Sequence, residues 1–459
     1  MKYFLIFIPT PAQLAAFGMY IMFILFLKRV IINRSMIKSI QLFIIVSLLI
    51  IGGCSARQDS TSDLHTIDFA EALDNIEEVK LSKYAASLTY TPIETSPNAL
   101  LGDIAHWFTT NDSIMCIVSP DRQKCIHMFT TDGKYLKDIG RKGRGPGEYK
   151  AVFNMAIISE MDALMAAGGL EILFYSLKDG ECFKKYSLYD IFDSTKNVTT
   201  YYTGQKYISY NMSGKDVIFN DNFVYATAGD NTTLEQFVIR MHLDCSIDTI
   251  IPLRQTTLGT GMPRVVVSTL YEYNNNINII HGLQDTIYSL QNNALYPRII
   301  FNFGNMLSLA TMPQIKKNHP IFSPNTRHLS AKVAEIVYSS HDIFTETDSF
   351  VIGSLYLPKD VAISKRLKKG IIQFIYDKYS RTTKLIKHSS DIEYSGFTND
   401  LDGGMPFWPT KHIGNKLYQF VDAGTFIEMS KKYNSPRMKE IAATLTEDSN
   451  PVIIEATLK

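Results

Sequence analysis

The stretch Ile126-His127-Met128-Phe129-Thr130-Thr131-Asp132-Gly133-Lys134-Tyr135-Leu136-Lys137-Asp138-Ile139-Gly140 holds the repeating unit of this chain. Apolar and polar residues fill two short runs on either side of Asp132-Gly133, a dipeptide suited to a tight hairpin. A glycine closes the second run. A weaker copy follows, Ile172-Leu173-Phe174-Tyr175-Ser176-Leu177-Lys178-Asp179-Gly180-Glu181-Cys182-Phe183, and the two Asp-Gly turns lie 47 positions apart. That spacing is close to the period of a four-stranded propeller blade.

The rest of the chain after about Val79 has the same texture. Short apolar stretches rich in β-branched and aromatic residues recur, among them Ser113–Val118, Phe153–Ile158, Ala163–Ala167, Tyr207–Tyr210, Phe237–Met241, Ile277–Ile280 and Arg298–Phe303. Such runs between Asp, Asn and Gly clusters predict strands. Helical periodicity is confined to Ser330–Tyr338 and Ser435–Leu445, the latter with Ser435 as N-cap and Pro436 at the first helical position. About 400 residues of short strands exceed a single sandwich, which leaves a repeating all-β architecture. We expect the strand-rich N-terminal part, Val79–Ile93, to meet the C-terminal Pro451–Leu458 in one blade and close the ring.

The chain has 46 Lys+Arg, 45 Asp+Glu and 46% hydrophobic residues, a globular composition that excludes collagen-like, disordered and coiled-coil classes. A net charge of +1 argues against a nucleic-acid partner. The charge is unevenly spread. Residues 1–53 carry Lys2, Lys28, Arg29, Arg34 and Lys38 and no acid, leaving 41 basic and 45 acidic residues for the remainder. Two apolar runs, Ala12–Leu27 and Ile40–Ile51, lie in the same segment. The second is too short for a membrane span and fits the core of a secretory signal with Lys38 before it.

That run ends in Ile51-Gly52-Gly53-Cys54, which resembles a bacterial lipobox, where the thiol is acylated and the Cys becomes the new N-terminus. We therefore expect three parts: an N-terminal apolar signal segment, 1–53; the lipidated Cys54 with a polar tether to residue 66; and a β-propeller over 67–459. Met36-Ile37-Lys38-Ser39 makes a start by itself, so translation is expected to begin there and residues 1–35 to be surplus. A true first span, with the basic cluster on the cytoplasmic side, is the alternative.

The link Gly140-Arg141-Lys142-Gly143-Arg144-Gly145-Pro146-Gly147-Glu148-Tyr149 resembles the connection between blades of NHL-type β-propellers. More closely, it resembles the six-bladed propeller lipoproteins of gut-type Gram-negative bacteria. Asp285-Thr286-Ile287-Tyr288-Ser289-Leu290, the loop Asn399 to Pro409, and Asn450-Pro451-Val452-Ile453-Ile454 resemble further segments of that family. The resemblance implies six four-stranded blades over roughly residues 65–459, and an exported, outer-membrane lipoprotein facing the periplasm or the cell surface.

The motifs of catalysis are sparse. HExxH, G-x-S-x-G and Gly-Lys-Ser/Thr are absent. The histidines, His127 and His412 included, are scattered, and each reads as structural. Cys54, Cys116, Cys125, Cys182 and Cys245 show no CxxC or zinc spacing; Cys116 and Cys125 fall on neighbouring strands, where a bridge and free core thiols are both open. Three groups are candidates for binding. Arg141, Lys142 and Arg144 suit an anionic ligand, helped by backbone amides, with an inter-blade turn as the plainer reading. Asn399, Asp400 and Asp402 offer oxygen ligands of the kind Ca²⁺ takes, with a hydrogen-bonded turn as the plainer reading. Phe407 and Trp408, if exposed, suit stacking on a sugar or peptide; a hydrophobic plug is the alternative. The expected function is a lipid-anchored envelope module that binds an envelope protein, glycan or peptide. The alternative is a metal-assisted lyase or hydrolase with its site in the central channel.

Overall fold

A computed structural model describes residues 64–101, 107–119, 125–152, 154–168, 171–187, 217–220, 223–229, 236–242, 246–253, 268–281, 285–304, 338–356, 371–387 and 395–459. Cys54, Cys245, the two N-terminal apolar runs, the strand expected over Tyr207–Tyr210 and all but the last residue of the helix expected over Ser330–Tyr338 lie outside these residues; Tyr338 itself opens a strand.

Six small sheets form a ring, a six-bladed β-propeller. Blade 1 holds β4 (Trp107–Thr110), β5 (Ile114–Val118), β6 (Ile126–Thr130) and β7 (Tyr135–Ile139) in sequence order. Blade 2 holds β8 (Asn154–Ile158), β9 (Ala163–Gly168), β10 (Glu171–Ser176) and β11 (Cys182–Ser187). Blade 3 runs from β12 (Val217–Asn220) to β15 (Ile247–Leu253), and blade 4 from β16 (Ser268–Tyr273) to β19 (Ala294–Asn302). Blade 5 runs from β20 (Tyr338–Glu346) through β21 (Phe350–Tyr356) and β22 (Ile371–Asp377) to β23 (Thr382–Ile386). Successive strands within these blades pair antiparallel. First strands touch first strands of neighbouring blades, as β4 touches β8 and β8 touches β12, so they surround the axis and the fourth strands form the rim.

Blade 6 closes the ring as the termini predict. It contains β24 (Lys411–Ile413), β25 (Lys416–Val421) and β26 (Val452–Leu458), and its outer strand is β3 (Ala85–Pro92). The β26–β3 ladder runs antiparallel from Val452 opposite Pro92 to Leu458 opposite Ala85. Closure leaves no open sheet between first and last blade.

The core lies between blades rather than inside one sheet. Cys116, Val118, Ile126, Met128 and Ile139 of blade 1 pack with Met155, Leu164, Ala166, Leu173 and Tyr175 of blade 2. Each blade is covered on both faces, which is why β9 reads as an unbroken buried run, Ala-Leu-Met-Ala-Ala-Gly. Period-2 alternation survives mainly at the rim, as in β7.

Two features depart from the sequence reading. The first is a strap. β1 (His65–Asp68) adds in parallel to the rim strand β19, His65 opposite Ile299, and β2 (Ile76–Glu77) adds in parallel to β23. Blades 4 and 5 are thus five-stranded, and the segment His65–Pro92 runs along three consecutive blades. β1 overlaps the end of the span expected to be tether. The second is a helix. Besides the expected one, which forms as Pro436–Ala442 with Ser435 Oγ accepting from the Met438 amide at 3.1 Å, blade 6 carries Ala423–Lys432. Gly424 and Thr425 lower its intrinsic helicity. It forms because Asp422 accepts from the Thr425 amide at 2.8 Å and because Phe426 and Met429 are buried against blades 5 and 6.

Candidate functional site

Gly140 to Tyr149 joins the rim strand β7 to the axial strand β8, so it is the inter-blade link expected from its glycines. It is tied by its own backbone: the Gly143 amide donates to Tyr149 O at 2.9 Å and the Tyr149 amide to Arg141 O at 3.1 Å. Tyr149 is buried beneath, and the hydroxyl of Tyr175 from blade 2 donates to Gly147 O at 2.9 Å. The loop that could hold an anion already holds one. Glu148 Oε2 accepts from the Gly145 amide at 2.7 Å, and Oε1 accepts from Arg141 Nε at 2.6 Å. The Gly145 amide and then the Arg141 guanidinium hold this carboxyl below the usual carboxylate range. The amides of Gly143, Gly145, Glu148 and Tyr149 are therefore engaged internally. What remains is charge: Arg141, Lys142 and Arg144 are exposed, and among the described residues Lys142 and Arg144 make no ion pair. Lys185 donates to Glu148 O at 3.0 Å and, with Lys150, forms an ion pair with Glu171. The link is a rigid, basic ridge between blades 1 and 2.

The late loop is a hydrogen-bonded knot. Asp402 Oδ1 accepts from Tyr90 Oη at 3.0 Å, Asn399 Nδ2 at 2.7 Å and the Gly404 amide at 3.0 Å; Oδ2 accepts from Ser435 Oγ at 2.6 Å. Asp400 spends both oxygens on Ser82, at 2.9 Å to the amide and 2.6 Å to the hydroxyl. Asn399, Asp400 and Asp402 are thus not three open oxygen donors converging on a Ca²⁺ ion; protein donors occupy the two carboxylates. Burial, and then the charge and hydrogen bond of Asp402, push the Tyr90 phenol up, so it stays a donor.

Phe407 and Trp408 are buried, as in the plug reading and not as a stacking platform. Phe407 is 1% and Trp408 7% exposed, which leaves no ring face for a sugar. Phe407 exchanges two backbone hydrogen bonds with Phe397, at 2.8 and 2.9 Å, and Trp408 packs on the Phe397 ring at 5.7 Å. Among the described residues, Cys116, Cys125 and Cys182 form no disulfide. One cluster escaped the sequence reading. Cys125, His127 and Asp138 come together at the rim of blade 1.

A solved structure of a Bacteroides fragilis protein whose name assigns it to export aligns with a TM-score of 0.60 at 14% identity, over 86% of this chain and 99% of that one. At that identity the likeness shows the fold alone. A Bacteroides vulgatus member of the duf4221 family aligns over 84% of this chain and 99% of its own, at 10% identity and a TM-score of 0.41. The extracellular domain of a one-component system from B. thetaiotaomicron covers 68% of this chain, with 30% of its own length, at 11% identity and a TM-score of 0.33. No curated protein matches. The family model described as "Domain of unknown function (DUF4934)" matches residues 64–457, nearly the full propeller, and the chain belongs to that family.

Proposed function

We propose that the chain is an exported, lipid-anchored propeller that binds an anionic partner, a glycan or an acidic peptide, through the basic ridge between blades 1 and 2. The observation that carries this reading is the exposed set Arg141, Lys142 and Arg144, held on a rigid link and opposed by a single carboxylate, Glu148. Rigidity limits the ordering cost of binding, and exposed surface cations steer an anion. Export and anchoring rest on the order of basic flank, apolar run, Gly52-Gly53-Cys54 and polar tether. The name of the Bacteroides fragilis neighbour agrees with export.

The test joins two measurements. Intact mass of the protein extracted from membranes should give a chain beginning at acylated Cys54. Titration with a panel of acidic oligosaccharides and Asp/Glu-rich peptides should give saturable binding that weakens with salt. Charge reversal at Lys142 and Arg144 should abolish that binding and leave the melting temperature unchanged. Chelator-sensitive turnover of a panel glycan, insensitive to the ridge variants, would replace this reading with an enzyme acting at the axis.

A further inference from the structure

Cys125 immediately precedes β6, and His127 lies two residues on, so both project from one face of the strand. Across the hairpin His127 stands directly opposite Asp138 of β7. The result is a thiol, an imidazole and a carboxylate whose ligand atoms all lie within 4.8 Å of one another. His127 Nδ1 is 2.7 Å from Asp138 Oδ1, and Cys125 Sγ is 3.7 Å from the same Nδ1. We propose that these three residues bind a borderline-soft divalent d-block cation, of the class of Zn²⁺ or Co²⁺, at the rim of blade 1.

The distances favour a cation over a nucleophilic relay. In a relay the imidazole separates the two partners, with the carboxylate on one nitrogen and the thiol in line with the other. Here Sγ is 3.8 Å from Nε2 and no farther from the nitrogen that already meets Asp138. One sulfur, one nitrogen and one oxygen lie within 4.8 Å of one another, the spread of a single coordination sphere. Tetrahedral zinc with bonds of about 2.3 Å to sulfur and about 2.0 Å to nitrogen and oxygen sets an S···N edge of about 3.5 Å and an N···O edge of about 3.3 Å. The first edge has nearly the right length, and a turn of the His127 ring or of Cys125 χ1 brings Sγ toward the Nδ1 lone pair, because it now stands almost equally far from both ring nitrogens. The second opens by about 0.6 Å on these bond lengths, which the Asp138 side chain, 42% exposed, has room to supply.

The donor set also selects the ion. A thiolate and an imidazole favour Zn²⁺ or Co²⁺ over the oxygen-seeking Ca²⁺. On binding, the thiol proton leaves to solvent as the metal–sulfur bond forms, and an imidazole proton at Nδ1 moves to Nε2. Three protein ligands leave a fourth position for water on the exposed side of Asp138. Outer support is present: Tyr135 Oη donates to Asp138 Oδ1 at 3.0 Å, and the rings of Phe129 and Tyr135 meet His127 edge-on at 6.3 Å.

The test uses the full-length protein, stripped with chelator and titrated with Co²⁺. One equivalent should bind with visible d–d bands and a near-ultraviolet thiolate-to-cobalt band, and Zn²⁺ should displace it. Cys125→Ser should remove the thiolate band and weaken binding by more than about tenfold. His127→Gln should weaken it similarly, whereas Cys182→Ser should change nothing. Absence of the thiolate band at saturating Co²⁺, or its persistence in Cys125→Ser, overturns the site. If the variants fail to fold, alkylation of the wild-type protein decides. Zn²⁺ should protect Cys125 and leave Cys182 reacting as before; equal labelling of Cys125 with and without Zn²⁺ overturns the proposal.

Discussion

Gly133 and Gly180 show how a single position can hold two blades together. Each is the second residue of an Asp-Gly turn with φ of +87° and +80°. Each carbonyl accepts a hydrogen bond from the residue just past the rim strand of the preceding blade: Gly133 O from the Glu94 amide at 2.9 Å, Gly180 O from the Gly140 amide at 3.2 Å. A Cβ would lie 2.3 Å from Pro92 O at Gly133 and 2.7 Å from Asp138 O at Gly180. Gly133→Ala and Gly180→Ala should each cost about 2–3 kcal/mol in denaturant titration. Gly414→Ala, at φ +59° with nothing within 4 Å, should cost only about 1 kcal/mol; equal losses at all three would refute the inter-blade role. Asp402→Ala should lose about 2–3 kcal/mol because four donors lose their acceptor. Added Ca²⁺ should leave the wild-type melting temperature unmoved. The rim cluster was within reach of the sequence. Reflecting the chain about Asp132-Gly133 sets His127 against Asp138, which the structure then pairs. The scattered histidines hid this, since spacing along the chain does not display pairing across a turn.

Strands and their turns were legible because their chemistry is local. Asp-Gly dipeptides, β-branched runs and the Ser435-Pro436 cap each act within a few residues. Junctions between blades are not local, and the junction of blades 4 and 5 shows why. Glu346, at the end of β20, has a fully buried side chain. It accepts from Arg298 Nη2 at 2.6 Å and Tyr271 Oη at 2.7 Å, both of blade 4, and from Lys378 Nζ at 2.7 Å within blade 5. Burial opposes its ionisation, but the Arg298 hydrogen bond and the Lys378 charge outweigh it and hold the carboxyl below its ordinary value. Burial lowers Lys378, which keeps its proton through the same contact. Glu346→Gln strands two buried cations and should cost about 3–5 kcal/mol near neutral pH. A lowered carboxyl contributes stability above its unfolded value and loses it as pH falls through the folded one. The gap between wild type and Glu346→Gln should therefore narrow once pH drops below the usual glutamate range of about 4.3. A gap unchanged by acid would mean that Glu346 acts through packing alone. No motif marks this network, because its members belong to blades that meet only after the ring forms.

The ring was legible in outline, since paired termini and a blade-length period both pointed to it, whereas the strap was not. Two-residue and four-residue parallel additions such as β2 and β1 leave almost no trace in a sequence. Their value is in what they cover. Without them the outer edges of β19 and β23 would offer unpaired backbone to other chains. Removing residues 65–78 should leave a folded propeller that self-associates, seen as concentration-dependent growth in light scattering. A variant that stays monodisperse would show that those edges need no cover. The strap also sets a clock. Among the described strands its three come earliest, yet β1 must wait for β19, β2 for β23, and β3 for β26. β1 can pair once Ala294–Asn302 is made and β2 once Thr382–Ile386 is made, but β3 has no strand partner until Val452–Leu458 is available. Closure of blade 6 thus waits for a strand more than 350 residues downstream of β3, and a cell making this protein has to keep a long, strand-rich, unclosed intermediate from aggregating meanwhile.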